Sequence, residues 1–164
     1  MDRGMTAVRR RKQGFTLVEL LVSMGIVVLL ASLVTPMVVT ALKRDKEHEL
    51  RIALRQIRQA LDDYKQAGDL GRIARLPGDS GYPRSLDVLV LGVPDQLDPA
   101  GRKLYFLRRL PRDPFANDRL PAERTWGTRS YGSEPGQTEA GADIFDVFSN
   151  SAAVGLNGVP YRQW

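Results

Sequence analysis

Few side chains in this chain have the types and spacing that enzyme chemistry needs. The sequence of 164 residues has no cysteine and one histidine, His48, which lies among charged residues on a predicted helix. The adjacent carboxylates Asp62 and Asp63 do not converge on one helix face, so they are not placed to act as an acid and base pair. The sequence also contains no glycine-rich phosphate loop and no cluster with metal-ligand spacing. We therefore predict that the protein is not an enzyme.

One short stretch does have the residues for a specific reaction, which is proteolytic processing beside a membrane. A basic cluster, Arg9 to Lys12, is followed by Gln13 and Gly14, and an apolar run begins at Phe15. An ordinary secretory signal has its small-residue cleavage site after the apolar region. Here the small residue Gly14 comes first, so a cut at this point leaves the apolar segment on the mature protein.

The apolar run from Phe15 to Leu42 is long enough to cross a membrane, which takes roughly 20 residues. Glu19 is its only ionisable residue. An unpaired charge in a membrane costs free energy, although less near the end of the span than at its centre. In an arbitrary span, the usual explanation is a carboxylate that reaches out to the lipid headgroups.

The residues from Arg9 to Glu19 resemble the prepilin leader of the type IV filament superfamily, which comprises type IV pilins and the pseudopilins of type II secretion. The resemblance implies that a prepilin peptidase cuts between Gly14 and Phe15 and that the new amino terminus, Phe15, is N-methylated. It also implies that Glu19, at mature position five, acts in filament assembly. Physics supports that role, because a cationic amino terminus and a carboxylate on neighbouring subunits attract strongly in a low dielectric.

The charge distribution predicts the membrane topology. The net charge is +5, and residues 1–14 hold five basic side chains and one acidic side chain, which leaves the mature protein near +1. The basic leader is expected to hold the amino terminus in the cytoplasm, although Lys43 and Arg44 beyond the span weaken the contrast. We expect a single-pass protein of the bacterial inner membrane with a periplasmic head. Because the high pI comes mostly from the leader, no nucleic-acid partner is expected.

The elements that position these residues are predicted to form an α+β, pilin-like fold. Four segments are expected: a cleaved leader (1–14), a hydrophobic transmembrane or filament-core helix (15–42), its amphipathic continuation (43–67) and a globular head (68–164). In the continuation, apolar residues recur at steps of three and four, so one stripe should pack on a small antiparallel sheet. The stripe consists of Leu50, Leu54, Ile57, Leu61 and Tyr64.

Two further features of the helix follow from its sequence. Pro36 removes a helical hydrogen bond, and the resemblance implies a partly melted stretch at this distance from the processed terminus, so we predict a helix break there, either an ordinary kink or an extensible segment. Glu47 with Arg51, and Arg58 with Asp62, have the spacing of ion pairs along one helix.

The head is predicted to contain one short helix and about three strands. The helix should place Leu86 and Leu89 inward, and the strands should span residues 103–107, 128–132 and 143–149. Turn-forming glycines and prolines separate these runs.

A segment between two of the predicted strands sharpens the resemblance. Residues Leu110 to Asn117 (LPRDPFAN) are similar to the Leu-Pro-x-Asp-Pro-aromatic-x-Asn segment of the major pseudopilin of type II secretion. This implies a subunit that polymerises with itself into a periplasmic pseudopilus that drives protein export across the outer membrane. The implied partners are the prepilin peptidase, an inner-membrane assembly platform, minor pseudopilins and the lipid bilayer.

Two alternatives to the pseudopilus remain. One is a type IV pilin used for adhesion, motility or DNA uptake, which belongs to the same superfamily. The other, from a different class, is a single-span periplasmic binding protein that never polymerises. The leader argues against the second, because a simple anchor needs no peptidase site before its span.

The carboxyl-terminal region departs from the family pattern. Major pseudopilins bind calcium through a loop after the last strand, and such hard cations need oxygen ligands. Between Ser149 and Trp164 this chain has no acidic residue. We therefore expect no cofactor and no family-type calcium site. The weak candidate ligands are Asp143, Asn150 and Asn157.

The chain also lacks the cysteines with which many type IV pilins close a carboxyl-terminal loop. The tail must therefore be held in another way. Tyr161 and Trp164 are the side chains that we expect to pack it.

Overall fold

The computed structural model describes residues 14–133 and 141–164, with the side chains of residues 33–36 left out. The chain divides into two compact units, one that ends at Ala41 and one that spans Leu42–Trp164. A single helix, α1 (Leu17–Asp69), contributes to both units. The predicted α+β class is confirmed, because the long apolar helix is accompanied by small antiparallel sheets.

The second half of α1 has the apolar stripe that its periodicity predicts. Leu50, Ile57 and Leu61 are fully buried, Leu54 is 3% exposed, and Tyr64 packs against the same cluster. Past the helix, Gly71 has a φ of 73°, a left-handed conformation that favours glycine. The chain therefore turns away from the helix two residues after Asp69.

In its described residues the head contains two separate two-stranded sheets, whereas we predicted one sheet. The first pairs β1 with β2, and the second pairs β3 with β4; both are antiparallel. In the second, Trp126 lies opposite Ser149, and Arg129 lies opposite Asp146. The elements of the head are α2 (Val88–Leu91), β1 (Val93–Pro94), β2 (Lys103–Leu104), a 3-10 turn (Ala122–Thr125), β3 (Trp126–Arg129), β4 (Asp146–Ser149) and a second 3-10 turn (Tyr161–Gln163).

The strands are shorter than predicted because neighbouring amides bond elsewhere. The backbone amides of Phe106 and Leu107 both donate to the Leu89 carbonyl, at 3.0 and 2.9 Å, so β2 stops before them. The Ile144 amide donates to the Pro83 carbonyl at 2.8 Å, and β4 begins only two residues later. These bonds tie the sheets to the rest of the head instead of lengthening the ladders.

The core of the head joins the helix stripe to the region of α2, to the β3–β4 sheet and to the tail. Leu86 and Leu89 are buried there, as predicted, and Trp126 and Val147 contribute from β3 and β4. Tyr161 is fully buried in the same cluster, which confirms that the tail packs through this ring.

Two charged residues of α1 bond across the head, so the predicted ion pairs along the helix are wrong. The carboxylate of Glu47 accepts a hydrogen bond from the Tyr161 hydroxyl at 3.0 Å, and Arg58 Nε donates to Asp146 Oδ1 at 2.8 Å. The Arg51 guanidinium lies over the Trp164 ring instead of beside Glu47. Exposed pairs along a helix contribute only about 0.2–0.5 kcal/mol, so partly buried, charge-assisted bonds easily displace them.

The segment from Leu110 to Asn117 is built around a buried carboxylate. Asp113 is 3% exposed and accepts hydrogen bonds from Ser149 Oγ at 2.5 Å and from the Phe115 amide at 2.8 Å. The Phe115 ring stacks on Tyr161 with 4.3 Å between centroids. Asp113 therefore links β4, its own turn and, through Phe115, the tail.

Replacement of Asp113 should destabilise the head strongly. In Asp113→Ala the Ser149 hydroxyl and the Phe115 amide lose a buried acceptor, and each orphaned donor costs about 1–3 kcal/mol. We expect the free energy of unfolding, measured by denaturant titration in detergent, to fall by about 2–4 kcal/mol. The exposed Asp118→Ala is the matched control and should change it by less than about 0.5 kcal/mol. Equal effects of the two variants would show that Asp113 does not hold the segment.

The Tyr161 hydroxyl should make the stability of the head depend on alkaline pH. Burial and the hydrogen bond to Glu47 raise the pKa of Tyr161 to about 12. Because the unfolded chain releases this proton near pH 10, the contribution is complete below about pH 10 and is lost as the pH rises to about 12. The wild-type protein should thus lose more free energy of unfolding over this interval than Tyr161→Phe. An identical pH dependence in the two proteins would contradict the assignment, and Tyr105→Phe, at an exposed ring, controls for the loss of a phenol.

Candidate processing and assembly site

The site surrounds the start of α1, where Thr16 directly precedes the first helical residue, Leu17. The Thr16 carbonyl accepts the Leu20 amide at 3.1 Å, and its hydroxyl accepts the Glu19 amide at 3.3 Å. These two bonds make Thr16 the N-cap of α1. The sequence Thr-x-x-Glu, here Thr16 to Glu19, is a capping-box signature. It is a local signal for this cap, but our prediction of the helix rested on its apolar residues and did not use it.

The predicted cleavage bond lies just outside the helix. Gly14 and Phe15 precede the N-cap, both are exposed, and the Phe15 side chain is 81% exposed. Non-helical, exposed backbone is where proteases cut most readily. The bond between Gly14 and Phe15 is thus accessible while α1 stays intact.

Nothing in the described structure requires glycine at position 14. A Cβ atom added to Gly14 would meet no atom within 4 Å, and Gly14 is not among the glycines with positive φ. The absence of a side chain does, however, let another molecule approach the backbone closely. The glycine therefore suits recognition by an enzyme better than any need of the fold.

Glu19 lies in the first turn of α1, where a negative charge is favoured by the helix dipole. Its carbonyl accepts the Ser23 hydroxyl at 2.7 Å, and its side chain is exposed. Within residues 14–133 and 141–164, the Glu19 carboxylate has no hydrogen-bond or ion-pair partner. The carboxylate is therefore available to a group from another molecule.

The helix that follows exposes a continuous apolar surface. From Phe15 to Leu30, the large apolar side chains are between 54% and 81% exposed. By length and composition, α1 is the one helix in the described part of the chain that can cross a membrane. Because water disfavours an apolar surface of this size, it must be covered by lipid or by protein.

The structure leaves the prediction for Pro36 open. The helix α1 continues through this position, and the Pro36 side chain is outside the described part of the chain. The predicted helix break stays a prediction.

The weak calcium candidates have separate partners. Asp143 Oδ1 accepts hydrogen bonds from the Ser130 hydroxyl and from the Tyr131 amide, whereas Asn157 Oδ1 accepts the Val159 amide at 3.1 Å. Burial acts to raise the pKa of Asp143, but hydrogen bonds outweigh it and the pKa is lowered. Asn150 is exposed and makes no hydrogen bond through its side chain to the described residues. No group of three or more His, Cys, Asp or Glu suited to a metal ion occurs in the described ranges.

Comparison with known proteins gives one match, at the amino-terminal end of the chain. Residues 9–35 match the model of the prokaryotic N-terminal methylation motif, so the match includes Gly14, Phe15 and Glu19. No curated protein and no solved structure matches the chain. The motif does not distinguish a pseudopilin from a pilin, but it indicates that the chain is a type IV pilin-like precursor.

Proposed function

We propose that the protein is a structural subunit of a type II secretion pseudopilus, which prepilin peptidase processes and which then assembles into a periplasmic filament. The observation that carries this proposal is the exposed Gly14–Phe15 bond directly before the cap of an exposed apolar helix. A cut there leaves the helix on the mature chain. The product is a membrane-inserted subunit that can later exchange lipid contacts for contacts with other subunits.

The amino terminus favours a subunit that assembles with other copies, and not a membrane anchor that never polymerises. Cleavage creates an α-amino group at Phe15, four residues from the Glu19 carboxylate, which has no partner among the described residues. In a low-dielectric environment each charge needs a partner, and a neighbouring copy supplies one of opposite sign. The pair between Phe15 of one copy and Glu19 of the next would set the register of the filament.

The remaining steps follow from the resemblance to type II secretion. The leader stays in the cytoplasm until the peptidase removes it, and α1 holds the subunit in the inner membrane. An assembly platform then adds subunits at the base of the filament. The growing filament pushes folded substrates toward the outer membrane, with minor pseudopilins as further partners.

Two features of the head favour a pseudopilin over a type IV pilin. The segment from Leu110 to Asn117 has the residue pattern of major pseudopilins, and its Asp113 is buried and hydrogen-bonded. The sequence has no cysteine with which to close a pilin-type disulfide loop. A type IV pilin remains the alternative, because the methylation motif is compatible with both.

The assembly role of Glu19 can be tested in cells that lack the chromosomal copy of the gene. We expect Glu19→Ala to be cut at Phe15 and to keep the unfolding transition of the wild-type head, because the Glu19 side chain makes no hydrogen bond or ion pair with the described residues. It should nevertheless form no filaments and should restore no protein export. Cross-linking in membranes and the amount of exported protein measure these outcomes.

Glu49→Ala is the matched control for this experiment, since Glu49 is an exposed carboxylate on the head half of the same helix. It should restore filaments and export to the wild-type level. Normal filaments with Glu19→Ala would contradict the assembly role. Loss of surface pili with unchanged export would instead favour the type IV pilin.

A further inference from the structure

The carboxyl-terminal tail, Val154 to Trp164, is fastened to α1 by side chains of the helix. Glu47 Oε1 accepts hydrogen bonds from the Leu156 amide at 2.7 Å and from the Tyr161 hydroxyl at 3.0 Å. Both Glu47 and Tyr161 are buried, at 5% and 0% exposed. One helix carboxylate thus binds two parts of the tail at once.

Cationic side chains of α1 hold the rest of the tail. Lys43 Nζ donates to the Val154 carbonyl at 2.7 Å, and an Arg58 nitrogen donates to the main-chain oxygen of Trp164 at 2.7 Å. The Arg51 guanidinium lies 4.5 Å from the centre of the Trp164 ring, within the range of a cation–π contact. Lys43, Glu47 and Arg51 are spaced four residues apart, so they lie on one face of the helix.

The polarity of this arrangement is the reverse of that in a cation site. A loop that binds calcium directs carboxylate and carbonyl oxygens at a central positive charge. Here the tail directs an N–H and an O–H donor at a central carboxylate, Glu47. The two tail main-chain oxygens described above already accept bonds from cationic side chains of α1.

The candidate ligands do not offset this reversed polarity. Asn157 Oδ1 accepts the Val159 amide inside its own turn, and Asp143 Oδ1 accepts the Ser130 hydroxyl and the Tyr131 amide. Asn150 is then the one candidate whose side chain has no hydrogen bond to the described residues, and one amide oxygen does not make a calcium site. A divalent cation placed beside Leu156 and Tyr161 would face the positive ends of two donors. The residues present therefore do not fit the calcium site that the resemblance implies.

We propose that the tail of this protein is locked to α1 by direct contacts with Lys43, Glu47, Arg51 and Arg58, and that the fold of the head uses no divalent cation. Side chains of the helix take the place that a bound metal ion has in the major pseudopilins that the chain resembles. This proposal concerns the head alone, so it stands or falls independently of processing and filament assembly.

The first test is the response of the full-length protein, in detergent micelles, to calcium chloride and to EGTA. Hydrogen exchange followed by mass spectrometry reports on the tail peptide, and thermal unfolding reports on the head as a whole. We expect the same exchange rates and the same Tm in both conditions. A higher Tm with calcium, or faster exchange of the tail peptide with EGTA, would overturn the proposal.

The second test removes the central carboxylate. In Glu47→Ala the Leu156 amide and the Tyr161 hydroxyl lose their shared acceptor, so exchange of the tail peptide should become about 10- to 100-fold faster while peptides from the β3–β4 sheet change less. Glu49→Ala, at an exposed carboxylate two residues away, should leave the tail as slow as in the wild type. Unchanged exchange in Glu47→Ala would show that Glu47 does not lock the tail.

A milder variant keeps the test decisive if Glu47→Ala does not fold. Tyr161→Phe retains the buried ring and removes one of the two donors to Glu47. We expect about fivefold to tenfold faster exchange of the tail peptide, again the same in calcium and in EGTA. Exchange equal to that of the wild type, or restored by calcium alone, would count against the lock.

Discussion

The constraint on which the rest of this structure depends is the exposed apolar surface from Phe15 to Leu30, at the start of α1. Side chains that are more than half exposed from Phe15 to Leu30 cannot remain in water, because the hydrophobic effect favours their removal from it. A bilayer is one cover, and the same helices from other copies are another. The proposed cleavage bond lies before this surface and not after it, so a cut there would leave the mature chain with an apolar surface that must be covered.

The polar groups at the start of the helix fit this constraint. Thr16 satisfies an amide of the first turn, so α1 can begin immediately after the cleavage bond without loose backbone. Glu19 is left without a side-chain partner in the part of the chain that the structure describes. In the proposed filament this acid pairs with another copy of the chain, so it would act in assembly and not in folding.

The head solves a different problem, which is to hold a long tail with no disulfide. Its polar clusters are buried and satisfied: Asp113 binds Ser149, and Glu47 binds Tyr161. The rings of Phe115 and Tyr161 stack on each other and connect the two clusters. Together these contacts hold the end of the chain through hydrogen bonds and packing.

Whether a feature of the fold or of the site could be predicted from the sequence depended on how far apart its residues lie along the chain. The processing segment, the N-cap and the apolar stripe of α1 are local patterns, and the sequence contains all the residues that form them. The partners of Glu47 and Arg58 are not local, because Tyr161 lies 114 residues and Asp146 lies 88 residues further along the chain. The strand lengths could not be predicted either, because β2 ends where the Phe106 and Leu107 amides donate hydrogen bonds to the Leu89 carbonyl. Such bonds exist only once the head has folded.

The most direct test of the central claim is the intact mass and the amino-terminal sequence of the protein from native membranes of cells with and without prepilin peptidase. We expect a mature chain that begins at N-methylated Phe15 when the peptidase is present, and the uncut chain when it is absent. A chain that keeps residues 1–14 in both strains would contradict the account, and it would favour an anchored head that does not assemble.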